Sequence, residues 1–311
     1  MLSRRNVRIK VMQLLYARRL DDTLTPERVA RAYEDMVDES YATLLFELYL
    51  FARVLEESRG ERERLATRLR PSDEDRAFRS HLADNPLTRA LLGSPELRSV
   101  AKQRDFEEQV DAERLRGFYE SAKAYEGYAA YATAERPGDD EHLGALLKAH
   151  KALMDNEAYN DYLEDRFSRW QEDKSLVIGA AKKVLKALPQ SALVLSTYRP
   201  DDETRAGFGR HLLDYVLAND ERLREHIVPV LENWDPERMA IVDMVLLKMA
   251  LSELITFAQI PPKVTLNEYV ELAKAYSTDK SKEFVNGVLD KLLHSLRAEG
   301  IIVKQGRGLV E

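Results

Sequence analysis

The sequence predicts an all-α protein of packed helices, and three observations carry that prediction. Apolar residues recur at helical spacing near both ends, no convincing run of β alternation occurs, and only 13 Gly and 11 Pro interrupt 311 residues. With 44% apolar and 32% charged residues, the chain has the composition of a soluble folded protein that can bury a substantial core.

Val7, Val11, Leu14 and Leu15 follow the i, i+4, i+7, i+8 spacing of one face of a first helix. Thr25, Pro26 and Glu27 read as N-cap, first helical position and acidic first turn of a second. That helix can run well past Tyr41, because Gly60 and Pro71 are the first strong breakers. Pro71, Pro86, Gly93 and Pro95 predict loops and short helices from Arg70 to Pro95. Asp105 to Glu135 is helical again, Arg136 to Asp140 is a loop, and Glu141 to Leu188 holds one or two further helices.

The last third repeats the pattern. Asp235, Pro236 and Glu237 start a helix striped by Val242, Val245, Leu246 and Met249, and Pro261-Pro262 forces a break. Thr265 and Glu268 have capping-box spacing ahead of Tyr269, Leu272, Ala273 and Tyr276 on one face. Ser277 to Lys280 is a polar connection to a final helix striped by Val285, Val288, Leu289 and Leu292. Gly287 lies inside that helix at a cost of about 1 kcal/mol relative to Ala. The close approach of a neighbouring backbone would account for it.

The net charge of −7 is unevenly spread. Met1 to Leu20 has six basic residues and no acid, Asp21 to Pro200 has 27 basic and 35 acidic, and Asp201 to Glu311 has 14 and 19. A polyanion must therefore be held by a local patch. Arg4, Arg5, Arg8 and Lys10, followed by Gln13 and Tyr16, form the candidate. Arg and Lys neutralise phosphates, Arg forks reach bases, and Tyr stacks on an unpaired base. The same residues also read as the solvated basic start of a helix, which the helix dipole slightly disfavours.

Other chemistry finds no support. Zero Cys excludes disulfides, thiolate zinc sites and a cysteine nucleophile, and fits a reducing, cytoplasmic setting. The six His residues show no metal-ligand spacing, and His142 and His150 read as ordinary surface residues. No P-loop, dinucleotide fingerprint or nucleophile elbow occurs, so no cofactor, metal or enzymatic activity is expected. No run is long and apolar enough to span a membrane. Asn6, Lys10 and Gln13 interrupt what would have to be the apolar stretch of a signal peptide.

The segment Arg4 to Tyr16 resembles the opening of the NusB family, an Arg-Arg-x-x-Arg helix ending in Gln-x-Leu-Tyr. Pro261 to Val264, Asn267-Glu268 and Glu271 to Lys274 are similar to that family's Pro-x-Lys-Val…Asn-Glu…Glu-Leu-Ala-Lys segment. Phe284 to Lys291 matches its most diagnostic motif, and Ala250 to Leu254 fits the helix before it. On this resemblance, residues 1–20 are the first basic helix of a NusB-like helical bundle, 21–200 a helical insertion that can include a core helix, and 201–311 the rest of the core.

The resemblance implies a double helical bundle that binds boxA single-stranded RNA with NusE, a small-subunit ribosomal protein. It would act in the transcription elongation complex on ribosomal RNA operons. Arg4, Arg5, Arg8, Tyr16 and Phe284 would lie on the RNA side, with Lys10 in the same segment. Phe284 and Tyr16 also fit core packing. Lys280, where compact relatives tend to have an acid, and Lys282 would add phosphate contact or alter RNA choice. Asp235, Glu237 and Asp243 would meet the basic NusE, or else be solvated surface acids. The tyrosines of the insertion, such as Tyr119, Tyr125, Tyr128 and Tyr131, read as packed helix faces, and the net acidic insertion is not expected to bind RNA by itself.

Two other functions remain to be weighed. RNA cytosine-methyltransferases carry NusB-like domains, but they need a cysteine nucleophile and an α/β cofactor domain, which zero Cys argues against. An interaction module that keeps the fold without boxA recognition is the alternative; the Arg4, Arg5, Arg8 cluster favours the RNA-binding reading over it.

Overall fold

The computed structural model describes residues 2–189, 195–231 and 239–304, and every regular element among them is helical. No described helix is long and apolar enough to cross a membrane. Two long helices come first, α1 (Arg4–Leu20) and α2 (Pro26–Ala66). Short helices follow: α3 (Asp73–Ala77), α4 (His81–Asp84), α5 (Pro86–Gly93), α6 (Pro95–Gln103) and α7 (Phe106–Gln109). Then come α8 (Ala112–Ala122), α9 (Tyr128–Thr133), α10 (Asp139–Met154), α11 (Glu157–Glu164) and α12 (Trp170–Ala187). A π-helical stretch, Glu203–Arg210, runs into α13 (His211–Ala218) and α14 (Asp220–Ile227). The chain ends on α15 (Ile241–Thr256), α16 (Pro262–Tyr276) and α17 (Ser281–Ala298).

Most starts follow local chemistry. The Ser3 hydroxyl caps α1 by accepting from the Asn6 N–H, and the Thr25 hydroxyl accepts from the Arg28 N–H before Pro26. α2 runs through Gly60 and stops short of Pro71, since one glycine among strong helix formers costs only about 1 kcal/mol. The capping-box reading at Thr265 is corrected: α16 starts three residues earlier, at Pro262, whose ring presets the helical φ. Asp235, Pro236 and Glu237 lie outside the described residues.

The chain divides into two compact units, Asp38–Arg199 and a core unit of Leu2–Val37 with Pro200–Glu311. The division falls at 38 and 199, inside the expected 21–200 segment that could include a core helix, and the first turns of α2 pack in the core unit. There the Tyr33 hydroxyl donates to the Arg205 carbonyl at 2.9 Å, and Arg205 Nε lies 2.6 Å from Glu34 Oε2. Within the other unit the two chain ends also meet, with Arg199 Nη2 at 3.3 Å from Asp38 Oδ1. The chain thus departs and returns at neighbouring points.

In the core unit α15 is central, with α1, α13, α14, α16 and α17 packed on it. Every residue from Val245 to Leu254 is buried, so the expected stripe is instead a helix enclosed on all sides. Val7, Val11 and Leu15 of α1 and Val285, Val288, Leu289 and Leu292 of α17 face the interior as expected, whereas Tyr276 is exposed. Gly209 is required where the π-helical stretch passes α1 and α2: a Cβ there would lie 1.9 Å from the Tyr33 hydroxyl and 2.3 Å from Val7 Cγ1.

The Asp38–Arg199 unit, named the inserted unit after the expectation from the sequence, packs around residues 44–55 of α2, with Trp170 and Tyr159 fully enclosed. Phe46 meets Phe106 edge-on at 5.2 Å, and Phe118 meets Tyr159 at 5.1 Å. Losing one such ring costs about 3–5 kcal/mol. Tyr119 and Tyr131 are buried, in line with their reading as packed helix faces. His150 is not a surface residue: it is fully buried, with Nε2 at 3.1 Å from Glu47 Oε1. His142 is half-buried, its Nδ1 at 2.9 Å from the Tyr131 hydroxyl.

Candidate functional site

The N-terminal cations divide sharply by burial. Arg8 is 3% exposed, and its Nε and Nη2 each donate at 2.8 Å to the carboxylate of Glu253, while Nη1 lies 3.4 Å from Glu268 Oε2. Its guanidinium also lies over the Phe208 ring at 5.0 Å. Glu253 accepts further from the Thr265 hydroxyl at 2.8 Å and the Tyr269 hydroxyl at 3.1 Å. Burial alone would lower the Arg8 pKa, but the Glu253 bonds outweigh it and the net shift is upward. Tyr269 is pushed well above the usual phenol range, first by burial and then by the Glu253 charge.

Arg8 therefore pins α1 to α15 and α16 and does not reach a phosphate. This network is what the sequence reading missed. Its one local signal is an acid set among apolar residues in the run Leu251-Ser252-Glu253-Leu254-Ile255. Lys10, 2% exposed, is likewise removed from the surface, since its own helix face turns into the bundle. Asp243, at 4%, is not on a partner-facing surface: its Oδ2 accepts from the Ser281 hydroxyl at 2.8 Å, which ties the start of α15 to the start of α17.

Arg4, Arg5 and Tyr16 remain accessible. Arg4 Nη2 lies 2.8 Å from Glu203 Oε1, and Arg5 Nη1 lies 4.0 Å from Glu268 Oε1. Exposed pairs of this kind are worth about 0–1 kcal/mol, so either guanidinium can exchange its carboxylate for a phosphate.

A groove of about 560 Å³ opens on the first turns of α17, lined by Val230, Lys280, Glu283, Phe284, Gly287, Val288 and Lys291. Phe284 is 8% exposed, so it packs in the bundle and also presents an edge to the groove. Gly287 was expected to admit a neighbouring backbone, but a Cβ built there meets nothing within 4 Å. Its effect is to leave the groove floor clear. Lys282 is exposed but does not line the groove.

The two basic regions are not brought together. Arg8 marks the Glu253 end of α15 and Ser281 the Asp243 end, about 15 Å apart at 1.5 Å per residue. Arg4 and Arg5 lie one turn before Arg8, whereas Lys280 and Phe284 flank Ser281. Leu15, next to Tyr16, shares a second groove of about 680 Å³ with Ile241, Met244 and Val245, rimmed by Arg18, Arg19, Asp220 and Glu221.

Fold and grooves together define an all-helical bundle protein in which Lys280, Glu283 and Lys291 surround the aromatic edge of Phe284. Among the described residues no cluster could hold a metal ion. The sequence profile of the NusB family matches residues 181–294. A transcription antitermination protein NusB of Salinibacter ruber is 39% identical over 132 residues, 42% of this chain and 79% of that protein. One from Chloroherpeton thalassium is 42% identical over 100 residues, 32% of this chain and 47% of that protein. One from Oleidesulfovibrio alaskensis is 37% identical over 98 residues, 32% of this chain and 64% of that protein. The chain belongs to the NusB family. It spans about half the length of the Chloroherpeton relative. No solved structure matches it.

Proposed function

We propose that the protein is a non-enzymatic transcription antitermination factor that binds boxA-type single-stranded RNA together with NusE, within the transcription elongation complex. The observation that carries the reading is the α17 groove. A mid-helix glycine leaves open space beside an aromatic edge, between Lys280 and Lys291. That arrangement suits an unpaired base against Phe284 and phosphates against the lysines. Arg4 and Arg5 extend the same strand toward the other end of α15, and Lys282 adds charge nearby. Arg8 supports the reading only indirectly, by holding the helix that carries Arg4 and Arg5.

NusE fits the second groove, whose apolar floor and charged rim have the layout of a protein interface. Asp235 and Glu237, outside the described residues, stay with the proposal as acids that meet basic NusE, while Asp243 acts by positioning α17.

Titration with boxA RNA, with and without NusE, tests both parts. If four phosphates are engaged, the log–log salt slope on single-stranded RNA is about −3. Arg4→Ala with Arg5→Ala should weaken binding and flatten that slope. NusE should raise RNA affinity, and independent binding would mean zero coupling between the two ligands. A chain that binds NusE but no RNA would be an interaction module of the same fold.

A further inference from the structure

α12 differs in charge from the unit that contains it. From Lys174 through Pro200 the sequence has Lys174, Lys182, Lys183, Lys186 and Arg199 and no acid, inside a segment where acids outnumber bases 35 to 27. The structure turns this run into a face. Ala180, Ala181, Val184 and Leu185 are buried in the unit, whereas Ser175, Gly179, Lys182, Lys183 and Lys186 are exposed and Lys174 is half-buried. From Lys174 to Lys186 the helix rises about 18 Å. Among the described residues none of these four lysines is in an ion pair.

Ordinary helix energetics does not account for the face. Cations stabilise the carbonyl end of a helix only within its last turn, and Lys186 alone lies there. Lys182 and Lys186 are an i,i+4 like-charge pair, which works against the helix. The face is equally poor in the anchors on which protein partners depend, with no aromatic, Arg or large exposed apolar side chain. Lysine ammoniums are point charges suited to phosphate, and small Ser175 and Gly179 let a sugar–phosphate chain lie close to the helix.

We propose that the inserted unit uses the α12 face Lys174, Lys182, Lys183 and Lys186 to hold the phosphate backbone of RNA without reading its sequence. The chain would then contact more RNA than the core grooves accommodate. The proposal departs from the expectation that a net acidic insertion does not bind RNA by itself, since a local face rather than net charge can hold a polyanion. The proposal rests on the RNA-binding reading of the core.

The test compares two RNAs on the full chain: a short boxA oligonucleotide, and the same element within long single-stranded flanks. The variant is Lys182→Gln/Lys183→Gln/Lys186→Gln, at exposed positions where Gln keeps helix propensity, with circular dichroism to verify folding. On the long RNA its affinity should fall and its salt slope flatten by about 2, or about 0.7 per phosphate lost. Short-RNA binding should be unchanged, whereas Arg4→Ala/Arg5→Ala should weaken both RNAs. Long-RNA affinity and slope unchanged in the folded triple variant overturn the proposal and leave the core reading standing. Lysine-dependent binding of the long RNA by a chain that ignores the short one overturns the boxA reading and supports the face. No binding of either RNA overturns both. Lysine-dependent binding of polyglutamate with RNA affinity intact overturns the proposal in favour of an acidic protein.

Discussion

Glu253 in the core unit and Glu47 in the inserted unit are both fully buried, yet their surroundings differ. Glu253 accepts two bonds from Arg8, one from Thr265 and one from Tyr269. Glu47 has His150 Nε2 at 3.1 Å without the alignment of a hydrogen bond, and the His150 ring is packed edge-on against Phe51 at 5.3 Å. Burial, then the Glu47 charge, pushes the neighbouring Tyr159 hydroxyl well up. In the core unit a saturated polar network sets the register of α1, α15 and α16, which come from distant parts of the sequence. In the inserted unit the Glu47–His150 pair sits within an extensive apolar core instead, with no such set of donors around the carboxylate among the described residues.

That contrast predicts opposite responses to mutation. Arg8→Met strands a buried carboxylate and should cost about 3–5 kcal/mol. Hydrogen exchange in α1 and α15 reads the loss. Adding Glu253→Leu should not restore stability, because the buried Thr265 and Tyr269 hydroxyls then lack their acceptor and Glu268 keeps only Arg5. Replacing the other pair, Glu47→Leu with His150→Leu, should be neutral or stabilising in chemical denaturation. A stable Arg8→Met chain, or an inserted unit that collapses in the apolar double variant, would break the comparison.

Two glycines sharpen it on a smaller scale. Gly209→Ala drives a Cβ into Tyr33 and Val7 and should cost about 1–3 kcal/mol. Gly287→Ala meets open space and should stabilise α17 by up to about 1 kcal/mol. The same methyl narrows the groove, so boxA affinity should fall while the melting temperature rises. Affinity unchanged in a stabilised Gly287→Ala protein would remove the groove from the RNA path.

The smallest effect concerns pH. Burial, and then the charge of His81, holds the His142 pKa below 6.5. The unfolded chain therefore binds more protons between that lowered pKa and 6.5, so stability rises with pH through the window and is lost as pH falls below it. His142→Gln should flatten this dependence in urea titrations at about pH 7.5 and about pH 5. An equal loss in both proteins would place the acid sensitivity elsewhere.

Helical class and most apolar faces were legible in the sequence by itself. Val7 with Val11, and Val285 with Leu289 and Leu292, repeat at a period set by the helix, so the face they form needs no knowledge of what covers it. Thr25-Pro26 marks a helix start for a similar reason, since capping is settled within four residues. Periodicity placed Phe284 and Gly287 on one helix with Lys280 just before it, although only the structure showed the space beside Gly287.

The tertiary structure alone decided what each charge does. Arg4, Arg5, Arg8 and Lys10 read as one cluster, but a helix turns its residues to different sides, and Glu253 lies 245 positions from Arg8. Thr265 has the spacing of a cap, a local bond worth about 1 kcal/mol. It instead serves a buried ion pair whose disruption costs about 3–5 kcal/mol. Asp243 and His150 became interior residues in the same way, since burial is set by whichever helices arrive from elsewhere in the chain. Local periodicity records energies within a turn; desolvated charge pairs between remote segments outweigh them, and no single segment of sequence contains both partners.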